Sequence, residues 1–156
     1  MTDTLAIVAL VVHILAAVVW VGGMFFAYLV LRPATTSLDP APRLVLWSRV
    51  LRRFFAWVFA AIVLLLVSGF WMIFGLYGGF SGISLYIHLM MGLGILMMLL
   101  FLHLFFAPWR RFRGAVGRQD WAGGARQLAQ IRLIVLINLV LGLVVAAIGG
   151  SGRYWP

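Results

Sequence analysis

The chain has 156 residues, 65% of them hydrophobic, and a formal net charge of +9. All twelve basic residues are arginines, the three acids are aspartates, and there is no cysteine. The missing cysteines exclude disulfides and thiolate metal sites. The sequence also has no carboxylate pair, no Ser/His/Asp pattern and no phosphate loop, and the apolar content is typical of an integral membrane protein.

Four apolar stretches, at residues 5–31, 54–76, 85–107 and 133–148, are each long enough to cross a hydrocarbon core. Such a crossing takes about 20 helical residues. The short connections predict an all-α membrane protein, an antiparallel bundle of four transmembrane helices. We expect a single domain over residues 1–156, because four helices bury their polar surfaces only against one another or a partner. The start "MTDT" has no basic residue, so the first span is not predicted to be a removable signal peptide.

The first span contains His13 and is followed by "RPATTSLDPAPR", whose three prolines predict a break in the helix. The next segment, "LVLWSRVLRRFFAW", predicts an amphipathic approach to the second span. His88 and His103 both lie in the third span, fifteen residues apart. That spacing is about 22 Å of helical rise, so these two histidines cannot ligate one metal ion.

Asp120 is predicted to cap the helix that leads into the fourth span. Asn138 in that span lies at about the same depth as His103, and we predict a hydrogen bond between the two side chains. The alternative is a second site at this depth, or a quinone contact near Arg52, Arg53 and Trp109.

Eleven of the twelve arginines adjoin the first and third connections. The positive-inside rule makes these connections cytoplasmic, in a bacterial-type inner membrane, with both termini and the middle loop outside. We expect the arginines to contact anionic lipid headgroups rather than nucleic acid.

The two odd-numbered spans share a weak repeat, because a proline follows His13 and His88 at the same distance of twenty residues, at Pro33 and Pro108. If each proline marks the cytoplasmic end of its helix, both histidines lie at one depth near the outer face. Spans one and three can sit diagonally in a bundle, and a bis-histidine haem b would then fit between them. Small residues would leave room for the porphyrin, a tryptophan would line it, and a terminal arginine would pair with propionates or anchor the helix end. The residues predicted to hold the haem are His13, His88, Ala16, Ala17, Trp20, Gly92 and Arg153.

Copper is the alternative ligand, because thioether and imidazole together suit Cu(I). In that case Met72, Met90 and Met91 would join His13 and His88. A structural or proton-handling role for the histidines is the remaining interpretation, although ionisable residues at membrane depth favour function.

The first span, "HILAAVVWVGGMFFAYLVLRP", and the third-span segments "YIHLMMGLG" and "LFLHLFFAPWRRF" resemble the copper resistance protein D superfamily. The resemblance implies a four-helix membrane module linked to copper handling; in larger members the assigned role is copper uptake from the periplasm.

The chain is also similar to HemJ-type protoporphyrinogen oxidases, which bind haem b. His13, Trp20 and Arg32 match their first span, and His88 and His103 their third. Their lysine is replaced by Met90, so this similarity implies haem binding but not the activity that depends on the lysine.

These observations predict a small membrane b-type cytochrome that transfers electrons, with a quinone or periplasmic redox partner, as a homo-oligomer or as a subunit of a larger complex. An oxidoreductase activity is left open. The alternatives are a copper-binding or copper-transporting protein and a HemJ-like oxidase acting on a tetrapyrrole.

Overall fold

The computed structural model describes residues 2–155, without the side chains of residues 2, 3 and 153. This part of the chain forms four long helices and contains no strand. They are α1 (Thr4–Ala34), α2 (Pro40–Gly75), α3 (Leu85–Gly117) and α4 (Trp121–Ser151), each long and apolar enough to cross a membrane. The predicted all-α, four-helix membrane architecture is therefore confirmed.

The helices are longer than the predicted spans, because the amphipathic segments are helical too. They contain 31 to 36 residues, which at about 1.5 Å per residue exceeds the roughly 30 Å of a hydrocarbon core. The additional turns lie at the arginine-rich end of the bundle, where α2 begins at Pro40 and α4 at Trp121. Asp120 caps α4 as predicted, since its Oδ1 accepts a hydrogen bond from the Gly123 backbone nitrogen at 2.8 Å.

Both helices of the predicted repeat contain a π-helical segment near the proline. In α1 it covers Phe26–Leu31, just before Pro33, and in α3 it covers Phe105–Trp109, which includes Pro108. A proline removes one backbone donor and crowds the preceding turn, and a wider π turn relieves that crowding. Pro108 consequently does not end its helix, which continues to Gly117, so the prediction that it marks the helix end is wrong.

The helices pack as two hairpins, α1 along α2 and α3 along α4, and α4 also contacts α1 and α2. Most of the largest fully buried side chains lie toward the arginine-rich end, Trp109, Phe112 and Leu44 among them. Phe55 of α2 is the centre of an aromatic cluster there. Its ring makes edge contacts with Phe101, Phe105 and Trp109 of α3, at centroid distances of 5.5, 6.2 and 5.1 Å. The core therefore holds α2 and α3 together at this end.

The short loop between α2 and α3 depends on glycine. Gly78 and Gly79 have positive φ angles of 70° and 114°, a region that residues with a Cβ rarely adopt. Beside them, the phenol of Tyr77 hydrogen-bonds with that of Tyr86, and partial burial together with this neighbour raises the pKa of Tyr77 above its usual value. This contact ties the loop to the first turn of α3.

Gly142 of α4 lies where three helices meet, and it provides a test of their packing. A Cβ at this position would lie 2.8 Å from Val21 Cγ2 and 3.1 Å from Met97 Cε, whereas one at Gly150 would meet no atom within 4 Å. We expect Gly142→Ala to lower the free energy of unfolding by about 1–3 kcal/mol through overpacking. The matched Gly150→Ala should be neutral or stabilise by up to about 1 kcal/mol. Unfolding of the purified protein in mixed micelles measures both, and equal losses would contradict this packing of α4.

Candidate metal or cofactor site

His13 lies on the inner face of α1 and is seated against α2. Its imidazole is half-buried, and its Nδ1 lies 2.9 Å from the hydroxyl oxygen of Ser68. The next residue of α2 is Gly69, where a Cβ would come within 3.3 Å of His13 Cε1. A serine followed by a glycine therefore provides both a partner and the space for the ring.

The hydrogen bonds of Ser68 determine which nitrogen of His13 is free. Ser68 Oγ donates to the backbone oxygen of Leu64 at 2.5 Å, so its single proton is used. The same oxygen must then accept from His13 Nδ1–H, and the proton position follows from this network. The lone pair of Nε2 is left available. A histidine held through its other nitrogen is the usual arrangement of a metal-ligating imidazole.

His88 is placed differently, in the first turn of α3 with its side chain exposed. Its Nδ1 donates to the backbone oxygen of Ser84 at 3.2 Å. On the same helix Met90 approaches Gly149 of α4 and Tyr86 approaches Gly152 just after it, since Cβ atoms at these glycines would touch them. At about 100° per residue, His88 points away from that face. No described contact joins the imidazoles of His13 and His88, and their shared site stays a prediction.

The two histidines nevertheless lie at similar depths. Val21 and Met97 both approach Gly142 and so mark one level of the bundle. His13 and His88 lie eight and nine residues from these marks toward the outer end, about 12 and 13 Å at ~1.5 Å per residue. Trp20 also contacts Phe101, one turn deeper on α3; measured from this contact, the depths of the two histidines differ by about 9 Å.

The described residues predicted to surround a haem differ in their surroundings. Ala16 and Trp20 are buried in the core, where Trp20 packs edge-on against Phe101. Ala17 is half-buried, whereas Gly92 is exposed, and a Cβ at that position would meet no atom within 4 Å. The side chain of Arg153 lies outside the described residues.

The methionines of the copper alternative lie at different interfaces. Met72 is one turn outward from Ser68 on the same face of α2 and is half-buried. Met90 packs on α4, where a Cβ at Gly149 would lie 3.0 Å from its methyl group. Met91 is half-buried on α3. Within the described residues, no three side chains among histidine, cysteine and the acids lie close enough to hold a metal ion.

The predicted hydrogen bond between His103 and Asn138 is wrong. Asn138 is buried, and its Nδ2 donates to the backbone oxygen of Met97 at 3.2 Å. His103 is exposed and lies beside Arg111 and Gln130 in a groove between α3 and α4. The reason is the direction in which each side chain points from its helix. Asn138 contacts α3 at Met97, on the side of α3 that faces the core, whereas His103, six residues later, points away from the core.

Ser68 is a side-chain partner of a candidate ligand that the sequence-based prediction missed. The signal was present, since "LLLVSGFW" places a hydroxyl in an otherwise apolar stretch of the second span. A polar side chain at that depth needs a partner inside the bundle.

A family model described as copper resistance protein D matches residues 48–151, about two thirds of the chain. The chain belongs to the copper resistance protein D family. Its membership confirms the predicted resemblance and makes it a multi-pass membrane protein of a family related to copper resistance. The matched region contains His88 and the three methionines of the copper alternative but begins after α1, so His13 lies outside it. No curated protein and no solved structure matches the chain.

Proposed function

We propose that this member of the copper resistance protein D family binds copper between α1 and α2, with His13 Nε2 as the imidazole ligand. The observation that carries the proposal is the hydrogen bond between His13 Nδ1 and Ser68, which fixes the ring and frees Nε2. Cu(I) accepts imidazole and thioether ligands in low coordination numbers. Copper is then the cargo that the protein binds or moves, in keeping with the family.

Met72 is the thioether that best fits this site. It lies one turn outward from Ser68 on the face of α2 that meets His13. Met90 is engaged at the interface with α4, and His88 faces away from the bundle, so neither supports the same site. The proposed ligand set is therefore His13 and Met72, with the half-buried Met91 of α3 as a further candidate.

The proposed location is a bacterial-type inner membrane, with the arginine-rich end in the cytoplasm. The support is the asymmetry of charge, since eleven of twelve arginines adjoin the two connections at that end. His13 then lies on the periplasmic side, where extracellular copper would arrive.

Haem b is the second candidate, because the same free Nε2 suits an axial ligand. A haem would supply reversible one-electron chemistry, for electron transfer with a quinone or a periplasmic partner. His13 fits this group, and His88 lies at a suitable depth. His88 does not fit as the opposite ligand in the orientation described, because it faces away from α4 and the core.

Absorption spectra of the detergent-purified protein, oxidised and dithionite-reduced, test both proposals when copper and iron are assayed on the same sample. We expect bound copper after exposure to Cu(I) and no sharp reduced α band. A reduced α band with near-stoichiometric iron would instead establish the cytochrome. Turnover of protoporphyrinogen would establish the HemJ-like oxidase, and a protein that retains neither metal would contradict both metal proposals.

Ser68→Ala tests the role of the hydroxyl that holds His13. Loss of a partner that orients a ligand commonly costs tenfold or more in metal affinity, and we expect Cu(I) affinity to fall by about tenfold. Competition with a chromophoric Cu(I) chelator measures it. Ser84→Ala is the control, because Ser84 contacts His88 only through its backbone oxygen. Unchanged affinity in Ser68→Ala would show that the serine does not position the ligand.

A further inference from the structure

A groove between α3 and α4 lies on the outside of the bundle, toward its arginine-rich end and away from the His13 site. It has a volume of about 280 Å³, which equals that of roughly nine water molecules in the liquid. Three polar side chains line it, those of His103 and Arg111 on α3 and of Gln130 on α4. The rest of the lining is apolar and consists of Ala107, Pro108, Leu133 and Ile134.

The π-helical turn of α3 brings His103 and Arg111 to the same side of this helix. The two residues are eight positions apart, which in a regular α-helix would separate them by about 80° around the axis. The π turn at Phe105–Trp109 lies between them, and because it needs one more residue to complete a turn, it reduces that angle to about 20°. Such turns often occur at functional sites. The irregularity around Pro108 therefore places both side chains along one groove.

The three polar side chains of the groove are unpaired. His103, Arg111 and Gln130 are exposed, and none of them forms a hydrogen bond or an ion pair with any residue that the structure describes. His103 lies in the apolar run that ends before Arg110, about 10 Å deeper along the helix. Ionisable side chains at membrane depth normally face the interior of the bundle or pair with another group. An unpaired imidazole on the outside of the bundle at this depth indicates a ligand that comes from the bilayer.

The order of the polar groups along the groove matches a phospholipid headgroup. Arg111 and Gln130 line the end nearer the arginine-rich connections, since α3 and α4 are antiparallel. A guanidinium group donates charge-assisted hydrogen bonds to phosphate oxygens, and a glutamine amide can donate another. His103 lies deeper, where the ester carbonyl oxygens of a lipid follow its phosphate, and an imidazole N–H can donate to such an oxygen. The fixed charge of Arg111 favours an anionic headgroup, as in other basic pockets between transmembrane helices.

We propose that the groove between α3 and α4 binds the headgroup of an anionic phospholipid, with the phosphate at Arg111 and Gln130 and an ester carbonyl oxygen at His103. The acyl chains remain in the bilayer beside the bundle, so the groove holds only the headgroup. The site lies at the opposite end of the bundle from His13, and it goes beyond the proposed binding of copper.

Native mass spectrometry of delipidated protein, titrated with phosphatidylglycerol or phosphatidylcholine, tests the proposal. We expect phosphatidylglycerol to bind at least about tenfold more tightly, a ratio that corresponds to one charge-assisted hydrogen bond. Arg111→Gln should remove most of that preference. The matched control is Arg110→Gln, because Arg110 is also exposed but points about 100° away around α3; this variant should keep the preference. His103→Phe should weaken both lipids by about fivefold, the effect of one neutral hydrogen bond, and leave their ratio unchanged.

Four outcomes would overturn the proposal. Equal loss of the preference in Arg110→Gln and Arg111→Gln would mean that the lipid responds to general surface charge. Unchanged affinities in His103→Phe would place the headgroup outside the groove. Complete displacement of phosphatidylglycerol by glycerol phosphate at the same concentration would identify a soluble phosphate as the ligand, and displacement by a short-chain quinone would identify a neutral ring. Thermal unfolding shows whether each variant is folded, and Arg111→Lys, which keeps the charge but not the planar fork, replaces Arg111→Gln if that variant is not.

Discussion

Replacement of His13 by alanine is expected to abolish specific Cu(I) binding, with a loss of affinity of at least about a hundredfold. The reason is that Ser68 holds the imidazole of His13 against α2 with Nε2 free. Loss of a residue that only supports a metal ligand lowers metal affinity by about tenfold to a hundredfold, and loss of the ligand itself should lower it further. Chelator competition on purified protein gives the affinity, and metal analysis gives the stoichiometry.

His103→Ala and His88→Ala are the matched controls for His13→Ala. Both side chains are exposed on α3, and neither belongs to the proposed copper site, so both variants should bind copper as the wild type does. Loss of binding in His88→Ala together with His13→Ala would favour the two-histidine site predicted from the sequence. Full binding in His13→Ala would rule out the site between α1 and α2.

Phe55→Ala is expected to have the largest effect on stability, a loss of about 3–5 kcal/mol. The ring is 2% exposed and contacts three aromatic rings of α3, so its removal leaves a cavity between α2 and α3. Edge-to-face ring contacts add to the loss of burial. Reversible unfolding in mixed micelles, followed by tryptophan fluorescence, measures the change.

Trp57→Ala is the control for this substitution, two residues further along α2. Trp57 is 65% exposed and faces away from the bundle, so its loss should change stability by less than about 1 kcal/mol. A similar loss in both variants would mean that the aromatic cluster does not hold the two helices together. The Cu(I) affinity of Phe55→Ala, measured while it remains folded, should match the wild type.

The two ends of the bundle differ in how many side chains they bury. The arginine-rich half contains most of the largest fully buried side chains, Trp109, Phe112 and Leu44 among them. Regions with few buried contacts open more readily than a packed core. The outer half, where His13 lies, therefore has more freedom to admit a ligand.

The sequence by itself determined the four spans, the asymmetry of the arginines and the cap at Asp120, because each depends on local composition or on a single helix end. It also predicted one depth for His13 and His88, and the contacts at Gly142 and Trp20 put the two within about 9 Å of each other in depth. The resemblance to the copper resistance protein D family was also visible in short motifs of the first and third spans.

Only the tertiary structure decided which way each polar side chain faces. Apolar residues occur all around α3, so periodicity does not mark its buried face, and the exposure of His88 and His103 follows from where Met90 and Met97 meet α4. Asn138 finds the backbone of Met97 for the same reason. The hydrogen bond between His13 and Ser68 joins residues on different helices, and such a contact depends on how the helices pack, which no single stretch of sequence specifies.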